Sequence, residues 1–217
     1  LKAGDALGFD PWLHTYDFVQ DFAKLCEEIG ARFVPVEANP IDALWRDRPA
    51  PTRGAISARP LRLAGETAQD KIARLRDSLA ADAALVSDPH NIAWVFNIRG
   101  ADVAHTPLPL AFALVGKDGP ARLFVDPAKL TPPVRERLAP VATLHDPSEL
   151  EPALIAEGKA GRRIAFDKAT APYRLIDVFR AAGGAFTTPP DPLTLMKAVK
   201  NEAEIAGSKA AHIRDAV

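Results

Sequence analysis

Lys117-Asp118-Gly119-Pro120, set between the apolar runs 111–115 and 122–125, obliges the chain to double back there as a β-hairpin. Around it, short apolar runs alternate with amphipathic stretches of helical period, the pattern of an α/β protein. An antiparallel pair inside such an alternation predicts a mixed sheet flanked by helices. The run Ala83–Val86 reads as a buried strand, as do 141–144, Arg163–Phe166 and Ala185–Thr187. Thr67 is placed to cap a helix bearing Ala68, Ile72, Leu75 and Leu79 on one face. Pro89 suits the first turn of a short helix running to Trp94. Thr131 caps a further helix, Asp146 or Ser148 the next, and 172–182 a last one closed by Gly183-Gly184. Together these elements make one complete α/β domain over residues 61–188.

Residues 1–45 form a smaller unit. The strand Ala6–Phe9 is followed by a helix capped by Thr15, with Phe18, Phe22, Leu25 and Ile29 on one face and Gly30 at its end; residues 32–36 are a second strand. Two strands and a helix fall short of the roughly 4–6 strands of an ordinary sheet. The unit is therefore expected to be the remnant of a larger domain, the alternative being that its strands join the downstream sheet. Residues 46–60, with three prolines and a glycine among charges, read as a linker. Thr188-Pro189-Pro190-Asp191-Pro192 ends the main domain. Residues 189–217 then form a linker and a final helix in which Ala206, Ala210, Ile213 and Val217 share a face. That helix stops without a capping signal, so truncation is expected.

Composition narrows function mostly by exclusion. A net charge of −1 in 217 residues gives no electrostatic reason for nucleic-acid or membrane binding, and no apolar run approaches a membrane span. The single Cys26 cannot form an intrachain disulfide and fits a reducing compartment; beside an apolar stripe it reads as a buried structural thiol. His14, His90, His105, His145 and His212 show no close metal-binding spacing, and no phosphate loop, dinucleotide fingerprint or nucleophile elbow occurs. Trp12 and Trp45 read as packing residues. One stretch, residues 94–107, packs Trp94, Phe96, Asn97, Arg99, Asp102 and His105 between a helix and the hairpin, as ligand-contacting loops do. Its local reading is that Asp102 pairs with Arg99, His105 caps a turn, and Trp94 and Phe96 fill the core.

The same stretch, Ala93-Trp94-Val95-Phe96-Asn97-Ile98-Arg99-Gly100 with Asp102-Val103 and His105, resembles the hallmark segment of the cytosolic-type Xaa-Pro aminopeptidases of the prolidase and creatinase superfamily. Gly8-Phe9-Asp10-Pro11, Leu44-Trp45-Arg46-Asp47-Arg48-Pro49 and Ala198-Val199-Lys200-Asn201-Glu202-Ala203-Glu204, continuing as Ala211-His212-Ile213-Arg214-Asp215-Ala216, resemble further family segments in the same order. The resemblance implies two creatinase-like α/β domains, the first truncated, ahead of a pita-bread catalytic domain of which only the first helix is present. It implies a hydrolase, a metallopeptidase releasing the N-terminal residue from peptides with proline second, with two divalent ions, typically manganese, activating water. The family's ligands are two Asp, one His and two Glu in the catalytic domain. No residue here matches them, His212 included, so no catalytic or metal residue is assigned.

By the same resemblance the chain is expected to be inactive alone and to shape substrate access, with Arg99, Asp102 and His105 facing the cleft. A cytoplasmic location, a peptide partner and a homodimer of the intact enzyme are implied. The alternative is a non-catalytic peptide- or protein-binding module; a third reading, creatine or dipeptide hydrolysis, is disfavoured by the Asn97–Gly100 stretch.

Overall fold

The computed structural model describes residues 1–216. In the N-terminal unit β1 (Ala6–Phe9) and β2 (Arg32–Pro35) pair in parallel, with α1 (Tyr16–Glu28) crossing between them. Thr15 caps α1 by accepting from Phe18 N. Its other end closes on Gly30, φ 70°, with Gly30 N donating to Glu27 O and Ala31 N to Cys26 O, the paired bonds that satisfy the last carbonyls of a helix. Val19 and the free thiol Cys26 are the buried residues of this helix. Phe18, Phe22, Leu25 and Ile29 share a face, but that face is turned to solvent, Leu25 being 55% exposed. A two-stranded sheet buries only one narrow strip of a helix, so the broader apolar stripe stays uncovered. α2 (Pro40–Leu44) follows. Trp12 and Trp45, expected to pack, are 41% and 48% exposed; the small unit has no interior to take them.

β1 and β2 do not join the larger sheet. The unit is instead joined to it by backbone bonds at the start of α1: Tyr16 N to Ala171 O, Asp17 N to Lys168 O, and Tyr173 N to His14 O, all about 3 Å.

In the stretch expected to be a linker, β3 (Ser57–Ala58) pairs antiparallel with β5 (Ile98–Arg99). α3 (Leu61–Ala64), α4 (Ala68–Ser78), β4 (Ala83–Val86) and α5 (Pro89–Val95) lie between them. β6 (Phe112–Gly116), β7 (Ala121–Phe124), α6 (Pro132–Leu138), β8 (Ala142–His145), α7 (Leu150–Lys159), β9 (Arg163–Phe166), α8 (Tyr173–Ala181), β10 (Ala185–Thr187), α9 (Pro192–Ala198) and α10 (Glu202–Asp215) complete the chain. Six strands form one mixed sheet in the order β10-β9-β4-β6-β7-β8, with β6 antiparallel to both neighbours and the other pairs parallel.

β4 shows why both faces must be covered. Ala84 and Val86 join a core with Ile72, Leu75 and Val95, while Ala83 and Leu85 join one with Phe166, Leu175 and Phe179; successive side chains of a strand point to opposite faces. α4, α5 and α6 cover the first face, α7 and α8 the second. α10 has no buried residue; Ala206, Ala210 and Ile213 lie exposed, and Val217 is outside the described residues.

Candidate functional site

The segment 94–107 begins at the end of α5, which Asp88 caps by accepting from His90 N and whose residues Asn91 to Val95 are all buried. The helix ends because Asn97 takes φ 52°, a left-handed conformation that asparagine tolerates better than most residues. Its side chain is held at both ends: Asn97 Nδ2 donates to Glu66 O at 2.8 Å, and Asn97 Oδ1 accepts from Lys71 Nζ at 2.8 Å.

Lys71, on α4, is only 1% exposed. Its ammonium also donates to Trp94 O at 3.1 Å and lies 4.1 Å from the centroid of the Trp94 ring. Burial depresses its pKa to about 8, Glu204 and Glu66 raising it, Arg99 and Arg74 lowering it further. Trp94 Nε1 donates to Glu204 Oε1 at 2.9 Å. The other oxygen of Glu204 accepts from Asn201 N, and Asn201 Oδ1 accepts from Glu204 N, a reciprocal cap that starts α10. Asn201 Nδ2 donates to Ala64 O at 2.8 Å, beside Gly65, where a Cβ would stand 2.3 Å from Asn201 Oδ1. The two sequence segments 93–105 and 198–204 thus meet in space.

Arg99 is half-buried. Its Nη1 donates to Ala93 O and Ile98 O, at 3.0 and 2.7 Å, and burial lowers its pKa, Arg59 adding to the effect and Glu204 opposing it. Asp102 does not pair with Arg99. Its side chain is 0% exposed and accepts from Lys129 Nζ at 2.8 Å, Leu110 N at 2.7 Å and Gly54 N at 3.1 Å. Burial works against its charge, but these donors outweigh it and hold the carboxyl below its usual range. Asp102 thus ties the loop to residues 54 and 129. His105 sits exposed in the turn closed by Thr106 N on Val103 O, at φ 60°. Among the described residues no hydrogen bond or ion pair joins any two of Arg99, Asp102 and His105. Trp94 and Phe96 are core residues, as the local reading expects.

Sequence reading missed Lys71, Lys129 and Glu204. A lysine adjoining an apolar helical stripe reads as a solvated flank, and nothing local reveals an acceptor 23 or 26 residues away. Among the described residues, no group of three or more His, Cys, Asp or Glu side chains is arranged to hold a metal ion.

The Creatinase/Prolidase N-terminal domain family matches residues 47–204. Probable Xaa-Pro aminopeptidase P of Aspergillus clavatus is 32% identical over 225 residues, covering 99% of this chain and 34% of that protein. Its counterpart in Arthroderma gypseum is also 32% identical, over 98% of this chain and 35% of its own length. Among solved structures, the X-prolyl aminopeptidase of Caenorhabditis elegans, described as a cytosolic enzyme with a di-nuclear active site, superposes with a TM-score of 0.88 at 25% identity, over 99% of this chain and 36% of that one. The chain thus spans about a third of the length of the proteins it matches. Its mixed six-stranded sheet, its helices and its sequence place it in the creatinase/prolidase N-terminal domain family.

Proposed function

We propose that this chain is the non-catalytic front region of a metal-dependent Xaa-Pro aminopeptidase and shapes the access of peptides to the metal centre. The observation that carries this reading is the superposition of 99% of the chain on an X-prolyl aminopeptidase. Residues 1–45 belong to a first creatinase-like domain, 46–60 to a linker, 61–188 to a second domain, and 189–217 to a linker and the first helix of the catalytic part. The two metal ions, manganese in this reading, are held outside this chain; its described residues form no ligand set, and no step of the hydrolysis is assigned to them. The same reading gives a cytoplasmic enzyme, a peptide with proline second as substrate, and a homodimer.

Arg99 and His105 are the side chains assigned to the peptide cleft. Arg99 keeps a fixed charge against α5, with only Nη1 engaged by backbone carbonyls, and His105 is presented on a turn. The test is the full-length enzyme loaded with Mn²⁺. Release of the N-terminal residue from Xaa-Pro peptides but not from Xaa-Ala peptides is expected, and Arg99→Ala should raise KM about tenfold with kcat little changed, the mark of binding lost equally from ground and transition states. Peptide binding without turnover would overturn the reading in favour of a binding module.

A further inference from the structure

Lys71 is an uneconomical residue for a core. Its side chain is among the largest that are fully buried, and no carboxylate lies within salt-bridge distance among the described residues. Burying an unpaired ammonium costs several kcal/mol unless its donors are satisfied. Here they are spent on one target, the end of α5: the carbonyl of Trp94, the side chain of Asn97 and the face of the Trp94 ring. A cation over an indole face attracts the ring and favours the orientation that presents that face to it. The edge of that ring carries the Nε1–H that reaches Glu204 on α10.

We propose that Lys71 is the positioning residue that seats α10 on the main domain, acting through Trp94: its ammonium sets the plane of the indole, and the indole directs Glu204 and with it the first turn of the helix. α10 has no fully buried residue and lies against α3 with half-buried positions such as Ala203, Gly207 and Ala211 only, so polar contacts carry much of its seat. The polar contacts that remain are the Trp94–Glu204 bond and the Asn201–Ala64 bond, both in its first turn. The charged groups facing Lys71 are Glu204 from α10, Glu66 ahead of α4, Arg99 from β5 and Arg74 from α4 itself, whose guanidinium lies 5.7 Å from the Trp94 centroid. Because burial brings the ammonium to about 8, its charge can be removed under mild conditions and the response of the indole followed. This inference does not depend on the peptidase reading.

The test is the indole N–H resonance of Trp94 in ¹⁵N–¹H spectra of this chain, told apart from those of Trp12 and Trp45 by its loss in Trp94→Phe. In the native chain it should titrate with a midpoint near pH 8. Lys71→Met should abolish that titration, shift the resonance towards its position in Glu204→Gln, and speed amide exchange in residues 204–207 about tenfold; Lys71→Arg, whose guanidinium stays charged, should restore the position and the slow exchange but leave the resonance flat through pH 8. Unmoved backbone amide resonances of β4, β6 and β9 would show that the fold survives. Should Lys71→Met not fold, the native titration and Lys71→Arg decide. A Trp94 resonance that is flat between pH 6 and 10, or one that Lys71→Met leaves in place while Glu204→Gln shifts it, would overturn the proposal.

Discussion

The indole Nε1–H of Trp94 donates to Glu204 Oε1 at 2.9 Å, joining residues separated by 110 positions in sequence. A hydrogen bond to a charged acceptor contributes about 1.5–3 kcal/mol. Trp94→Phe keeps an aromatic ring in the core but removes the donor. Amide exchange in the first turns of α10 should accelerate at least about tenfold, and the urea midpoint of the main domain should move much less. Equal losses at both sites would contradict a local role for this bond.

The buried pair of Asp102 and Lys129 should be far less tolerant. Lys129→Met leaves a carboxylate with 0% side-chain exposure and two amide donors only, so a loss of about 3–5 kcal/mol is expected from urea unfolding at pH 7. Since the folded-state pKa of Asp102 lies below its ordinary 3.8, its contribution is complete above pH 3.8 and lost as pH falls through the folded value. In Lys129→Met the acid limb of the stability profile should move to higher pH.

Gly100 is fixed by space. A Cβ there would stand 2.5 Å from Leu108 O and Pro109 N, both backbone atoms. Gly100→Ala should cost about 1–3 kcal/mol, lowering the melting temperature by roughly 2–12 °C for a chain of this size. Gly207, inside α10, meets nothing within 4 Å, so Gly207→Ala should stabilise that helix by about 0.5–1 kcal/mol. Calorimetry and local amide exchange separate the two effects.

The outward stripe of α1 predicts a solubility effect without a stability effect. Leu25→Lys alters a residue that is 55% exposed, so its change in unfolding free energy should stay within about 0.5 kcal/mol. Breaking an exposed apolar patch should lower self-association. Light scattering against concentration checks this; unchanged scattering would show that another surface governs association.

Much of the fold could be read from the chain because its determinants are local. Thr15, Thr67 and Asp146 cap the segments expected of them, Gly30 and Gly183 end helices at positive φ, and the turn at Gly119 joins β6 to β7. The strands Ala83–Val86, Arg163–Phe166 and Ala185–Thr187 fall where the apolar runs place them. Period and punctuation act over a few residues, so a linear reading reaches them. The same reading faltered where an outcome depends on what lies opposite. The stripe on α1 has helical spacing, yet spacing does not say whether a partner surface exists.

The sequence by itself determined the strands and helices of the mixed sheet, while β3 and β5, in stretches expected to be a linker and a loop, came from their pairing with each other. Only the tertiary structure decided which charges meet around the segment 94–107. Asp102 pairs with Lys129 and not Arg99, and Lys71 lies against Trp94 instead of in water. A buried charge settles where donors and acceptors from distant elements satisfy it, and those distances exist only once the sheet has brought its helices together.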